Sequence, residues 1–265
     1  MLRALGVIPA RYASTRFPGK PLAPLGHGTL LSSVWAAVTT SKRLDRVIVA
    51  TEDARIVQAC RTIGAEAMLT ADTHVSGSDR VAEVVRRAAA ELEAFDVVVN
   101  IQGDEPFVTG TTLDRLVAAF DGRPDLRMAT TAEPLDDVED LFDPGCVKVV
   151  TSDAGDALYF SRAPIPYHRG TPPLAADFRG ALKGRPQGLS GYLKHQGLYA
   201  YRPETLMRLT QLAPSPLELD EGLEQLRALQ AGIGILVLPS DFRSIAVDTP
   251  ADLERAQSKL QETRR

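Results

Sequence analysis

Residues 4–22 read ALGVIPARYASTRFPGKPL, a short apolar run that opens directly onto a cationic loop. The run Ala4 to Ile8 predicts a buried first strand. The loop, Pro9 to Leu22, is stiffened by Pro9, Pro18 and Pro21 and carries Arg11, Arg16 and Lys20. Gly19 lets the backbone bend or approach a ligand closely just before Lys20. After the first strand of an α/β chain, such a loop is a place to hold a polyphosphate. A solvated surface loop that is merely basic fits the same residues, and the rest of the chain has to decide between them.

Working outward, apolar residues at helical spacing run from Leu30 to Val38. Arg46 to Thr51 (RVIVAT) is a continuous β-branched run, the mark of a strand covered on both faces. Asp53 to Ile63 predicts a helix closed by Gly64, and Glu66 to Leu69 a short third strand. Ser78 and Asp79 open an amphipathic helix over Arg80 to Ala94, and Asp96 to Ile101 (DVVVNI) is a fourth buried strand. Strand and helix alternating at this spacing imply a doubly wound, mostly parallel α/β sheet with right-handed crossovers.

The second half changes character. Arg127 to Glu133 predicts a strand, and Val147 to Thr151 with Ala157 to Ser161 flank a hairpin turn at Asp153-Ala-Gly155. Tyr167 to Gly191 is rich in Gly, Pro and Arg without a period and predicts a long, insert-like loop. Lys194 to Tyr201 predicts a strand, Pro203 starts a helix, and Pro216 to Ala231 predicts one continuous helix across Gly222. Ile233 to Pro239 returns as a strand, and Pro250 to Leu260 is a terminal helix. The expected organisation is a single domain over 1–265. Its nucleotide half is 1–125, a smaller mixed α+β lobe for an acceptor or a dimer contact is 126–232, and a returning strand and helix fill 233–265.

Composition narrows the classes. At 265 residues and 44 % hydrophobic, the chain can bury a full core without a metal or disulfide staple. A net charge of −4 argues against a general nucleic-acid or anionic-membrane binder. Cys60 and Cys146 form no CxxC, and no signal peptide or membrane-spanning run is present, so a soluble cytoplasmic protein is expected. Ser14 stands where a Walker loop needs glycine, Leu31 where a dinucleotide fingerprint needs one, and neither HExxH nor GxSxG occurs.

Asn100-Ile-Gln-Gly-Asp-Glu-Pro106 follows the fourth strand, where ligands of open α/β sheets bind. Asp104 offers oxygen donors suited to Mg²⁺ against phosphate, Gln102 offers both a donor and an acceptor, and Gly103 leaves room for a nucleotide. A plain turn uses the same residue types. Asp248, before Thr249-Pro250, is a second carboxylate whose ordinary reading is a helix cap. Ser76-Gly77-Ser78-Asp79-Arg80 can meet an anion or a base at a helix N-terminus, or simply cap it. His195, in a strand, is read by default as a satisfied histidine.

Taken in order, PARYASTRFPGKPL (9–22), SGSDRVAEV (76–84), NIQGDEP (100–106), ALYFSRAPIP (157–166), KHQGLYAYR (194–202), SPLELDEGLEQLR (215–227) and VDTPADLERA (247–256) make the chain similar to the 3-deoxy-manno-octulosonate cytidylyltransferases over nearly its whole length. The resemblance implies that CTP and a 3-deoxy-2-ulosonic acid (Kdo) give the CMP-sugar and pyrophosphate with Mg²⁺. It implies that Arg11 and Lys20 hold the triphosphate, and that Ser76, Gly77, Ser78, Arg80 and Gln102 contact the cytidine. Asp104 and Asp248 would bind the metal, and Arg162, His195, Tyr199, Glu224 and Gln225 would surround the sugar acid. A cytoplasmic homodimer supplying lipopolysaccharide synthesis is implied too, without nucleic-acid or membrane partners. Competing readings are a cytidylyltransferase for an amino-substituted Kdo or a nonulosonic acid, a CTP-binding protein without catalysis, and a glycosyltransferase.

Overall fold

The structure is a computed structural model that describes residues 2–13, 16–90, 94–167, 180 and 189–262. The chain divides into two compact units, one of residues 1–127, 197–211 and 241–265, the other of 128–196 and 212–240.

The first unit is built on strand β1 (Ala4–Pro9), buried along nearly its whole length as its unbroken apolar run requires. A small hairpin, Pro24–Leu25 (β2) with Gly28–Thr29 (β3), leads into helix α1 (Leu30–Val38). Strands β4 (Arg46–Thr51), β5 (Ala67–Leu69) and β6 (Val97–Asn100) follow, with helix α2 (Ala54–Thr62) before β5 and helix α3 (Gly77–Ala90) before β6. β1 pairs in parallel with β4 on one side and β6 on the other, and β4 pairs in parallel with β5. The chain therefore winds outward from β1 through β4 to β5 and then returns to the opposite flank at β6. That reversal is a topological switch point, and the carboxyl ends of β1 and β6 border it.

Three details differ from expectation. α3 starts at Gly77, because Ser76 and Asp79 cap each other: the Asp79 N–H donates to Ser76 Oγ and the Ser76 N–H to Asp79 Oδ2, both at 3.1 Å. Ser78 to Arg80 thus form its first turn rather than a loop. Helix α4 (Gly110–Ala118), absent from the sequence reading, is capped by Thr109 and buries Leu113, Leu116 and Val117. Residues 197–211 and 241–265 also belong to this unit. Tyr199 to Tyr201 pair antiparallel with β6, and Ala256 of the terminal helix Pro250–Glu262 packs with Leu25, Leu30 and Val247.

The second unit contains β7 (Met128–Pro134), β8 (Lys148–Thr151), β9 (Ala157–Ser161), the first residues of β10 (Leu193–Tyr201) and β11 (Ile235–Pro239). β8 and β9 form the expected antiparallel hairpin, Leu193 and Lys194 pair antiparallel with β8, and β11 runs parallel to β7. The continuous helix expected over Pro216 to Ala231 is instead two short ones, Pro216–Glu221 and Gln225–Gln230. Gly222 between them sits at φ 62°, a left-handed cap that ends the first helix. Nearly all of the loop expected between Tyr167 and Gly191 lies outside the described residues. Among the described residues no helix is long and apolar enough to cross a membrane.

Candidate active site

A cleft of about 360 Å³ opens in the first unit at the switch point. Its walls are Arg11, Arg16 and Lys20 from the loop after β1, Gly77 at the start of α3, Gln102 to Asp104 after β6, and Asp248. Two segments far apart in sequence meet because the Val247 N–H donates to the Asp104 carbonyl at 2.9 Å. That bond places Asp248 beside Asp104.

Lys20 links them. Its Nζ lies 2.7 Å from Asp104 Oδ2 and 3.1 Å from Asp248 Oδ1, with only 13 % of the lysine side chain exposed. Burial by itself lowers the lysine pKa, but the charges and hydrogen bonds of Asp104 and Asp248 outweigh it and hold the group above its ordinary value. The ammonium therefore stays charged through neutral pH. Arg16 adds a second cation, Nη2 lying 3.1 Å from the same Asp248 oxygen. Asp248 is not the helix cap: Thr249 Oγ1 accepts from the Asp252 N–H, and Asp252 Oδ2 accepts from the N–H groups of Asp248 and Thr249. The carboxylate of Asp248 is thereby left for the cleft. Arg16, whose ion pair with Asp248 the sequence did not single out, was visible only as one more cation of the loop.

Gly103 lines the cleft and is also required by the backbone. A Cβ there would stand 2.8 Å from the Pro9 carbonyl oxygen, so glycine lets the ends of β1 and β6 close on each other. Gln102 donates from Nε2 to the Gly197 carbonyl at 2.9 Å, which fixes the amide at the cleft wall. Arg11 donates to the His74 carbonyl at 2.9 Å. Arg80, expected to touch the nucleotide, is wholly buried: it bonds Thr70 and pairs with Glu52 at 2.8 Å. From the first turn of α3 its side chain is turned inward.

The residues expected around the sugar acid are distributed over both units, Tyr199 in the first and Arg162, His195, Glu224 and Gln225 in the second. Arg162, in the second unit, gives its Nε to the Glu221 carbonyl (2.7 Å), its Nη1 to Pro144 (2.7 Å) and its Nη2 to Gly222 (3.2 Å). The Glu221 carboxylate in turn accepts from the Arg162 N–H and from Ser161 Oγ. This guanidinium pins the left-handed turn at Gly222. His195 packs edge-on against Phe160, with Nε2 3.0 Å from Thr130 Oγ1, and burial pushes its pKa down to about 3. It is a neutral imidazole at physiological pH. Tyr199 belongs to the first unit, buried and stacked on Tyr201. Glu224 precedes the helix Gln225–Gln230, and Gln225 is buried at its start.

A switch-point cleft that brings cations of the first loop against paired carboxylates is where an α/β protein of the nucleotide-handling class binds its ligand. The cytidylyltransferase family profile matches residues 5–236. Proteins named 3-deoxy-manno-octulosonate cytidylyltransferase from Halorhodospira halophila and Solibacter usitatus are 47 % and 43 % identical, over 97 % and 96 % of this chain and 97 % and 92 % of their own lengths. A solved structure of CMP:2-keto-3-deoxy-manno-octonic acid synthetase complexed with CTP superposes with a TM-score of 0.85 at 37 % identity, covering 98 % of this chain and 99 % of its own. This chain belongs to the 3-deoxy-manno-octulosonate cytidylyltransferase family. The fold alone extends further, to a 4-diphosphocytidyl-2C-methyl-D-erythritol synthase at 15 % identity and a TM-score of 0.62, covering 98 % of this chain and 99 % of its own.

Proposed function

We propose that this protein transfers CMP from CTP to the 2-hydroxyl of 3-deoxy-D-manno-octulosonate, releasing pyrophosphate. The observation that carries the reading is the Lys20 ammonium held between Asp104 and Asp248 in the switch-point cleft. The 2-hydroxyl oxygen bonds to the α-phosphorus as the bond from that phosphorus to the β-phosphate oxygen breaks, and the hydroxyl proton is lost to solvent. Little covalent work falls to the protein, so position and charge decide the rate. Arg11 and Lys20 hold the triphosphate, and Arg16 adds charge from the same loop. Ser76, Gly77 and Ser78 contact the cytidine from the first turn of α3, with Gln102 opposite.

Mg²⁺ suits the same pair of carboxylates. Asp104 and Asp248 already share one cation, and both offer only oxygen donors. Among the described residues no cluster of three or more metal-ligating side chains exists. Two carboxylates are enough for Mg²⁺, which completes its shell with water and substrate phosphate. When bound, the ion supplies charge neutralisation and Lewis-acid polarisation at phosphate. Residues 1–125 carry the nucleotide in this reading, while His195, Tyr199, Glu224 and Gln225 contribute to the acceptor side. The protein acts as a cytoplasmic homodimer in lipopolysaccharide synthesis.

The test is pyrophosphate release with CTP, Mg²⁺ and Kdo, beside Kdo-free and UTP controls. Release that needs both CTP and Kdo is expected. CTP binding without release, across Kdo and related sugar acids, would replace the enzyme with a CTP-binding protein.

A further inference from the structure

Tyr12 is held by its N–H, its carbonyl and its ring within the first unit. Its N–H donates to Glu52 Oε1 at 3.1 Å, and its carbonyl accepts from the Gly19 N–H at 2.9 Å. The Arg55 guanidinium lies 3.3 Å from its ring centroid. Arg55 is itself held flat by Asp53, Nε to Oδ1 at 2.9 Å and Nη2 to Oδ2 at 2.6 Å. Gly19 lies close to the same ring, since a Cβ there would stand 3.2 Å from the ring carbon Cζ and the hydroxyl oxygen. The residue after Gly19 is Lys20.

Glu52 joins two walls of the cleft. One oxygen takes the Tyr12 N–H, and the other lies 2.8 Å from Nη2 of Arg80. Arg80 is in the first turn of α3, whose first residue, Gly77, lines the cleft. A shift of Tyr12 therefore moves Gly19 and Lys20 relative to Asp104, and a shift of Glu52 moves the loop relative to α3.

We propose that Tyr12, Glu52 and Arg55 form a positioning brace that sets where Lys20 stands and so governs capture of the nucleoside triphosphate. The brace rests on the reading of this cleft as the CTP site. None of the three is a catalytic residue. Each acts through the backbone that carries Lys20, and misplacement of a charged group by about 1 Å reduces turnover on the order of a hundredfold.

The experiment measures KM for CTP, KM for Kdo, calorimetric CTP affinity and melting temperature in Tyr12→Phe, Tyr12→Ala, Glu52→Gln and Arg55→Ala. Tyr12→Ala is expected to raise KM for CTP on the order of tenfold with KM for Kdo unchanged. Tyr12→Phe keeps the ring and should restore most of the loss. Glu52→Gln, which keeps an oxygen for the Tyr12 N–H, should fall between them. If Tyr12→Ala fails to fold, exposed Arg55→Ala reads the same effect at roughly threefold. An unchanged KM for CTP in the folded variants, or a loss in Tyr12→Phe equal to that of Tyr12→Ala, overturns the brace alone. A wild-type protein that neither binds CTP nor releases pyrophosphate overturns the reading of the cleft, and the brace with it.

Discussion

Two lysines, one in each unit, are largely enclosed, yet they are bound in opposite ways. Lys20 gives its ammonium to two side-chain carboxylates, Asp104 and Asp248. Lys148, with no exposed surface, gives its own to three main-chain carbonyls, those of Asp143, Cys146 and Arg162. Carboxylates raise the pKa of the first, and burial lowers that of the second. Partners on side chains can exchange one cation for another when a ligand arrives. Carbonyls fixed in a turn cannot move without unfolding it. Arg162 follows Lys148, binding carbonyls at the turn around Gly222. The two lysines show how the same charged group can be held by partners that can exchange it or by partners that cannot.

The strongest way to break this contrast is at the carboxylates. Asp104→Asn is expected to lower turnover on the order of a hundredfold or more with the melting temperature nearly unchanged. Near-normal pyrophosphate release from that variant would remove Asp104 from the chemistry. Lys148→Met should do the reverse, costing on the order of 3 kcal/mol in a urea titration because three carbonyls lose their donor. Its folded fraction should bind CTP as the wild type does.

Lys20→Met sharpens the comparison from the other side. Loss of charge-assisted bonds should reduce kcat/KM for CTP by on the order of thirtyfold. Urea midpoints should move far less than in Lys148→Met, and an equal shift would make Lys20 a structural lysine too. The smallest effect is expected at His195. Its folded pKa, about 3, is below the ordinary value, so the unfolded chain takes up a proton that the folded chain refuses. Stability is thus lost as pH falls from the ordinary histidine range toward 3. From about pH 6 to about pH 5 the loss is about 1 kcal/mol, and His195→Gln should lack that share when denaturation is measured at both values.

Much of the first unit was legible because its signals are local. RVIVAT and DVVVN are runs that only a doubly covered strand accommodates, and both appear as β4 and β6. Local signals misled where two local devices compete. Ser78-Asp79 looks like a helix start, but Ser76 and Asp79 close a reciprocal cap two residues earlier. The apolar spacing from Pro216 to Ala231 continues through Gly222 although the backbone there turns left-handed. α4, opening on Gly-Thr-Thr, shows little helical propensity before its buried leucines.

The site divides along the same line. The sequence by itself determined the doubly wound class, the cationic loop after β1, and the carboxylate at the end of β6, since each depends on residue type and neighbours in the chain. It left Asp248 between cap and ligand, and Arg80 and Arg162 between ligand and support. Those choices belong to tertiary structure, because they depend on which distant group reaches a side chain first. Asp252 takes over the cap and frees Asp248, and the Val247 to Asp104 bond sets that carboxylate beside its partner. Glu52 and Thr70 claim Arg80, and the carbonyls at Gly222 and Pro144 claim Arg162. A side chain's type limits what it can bind, while the fold decides which partner is within about 3 Å, the range over which hydrogen bonds hold.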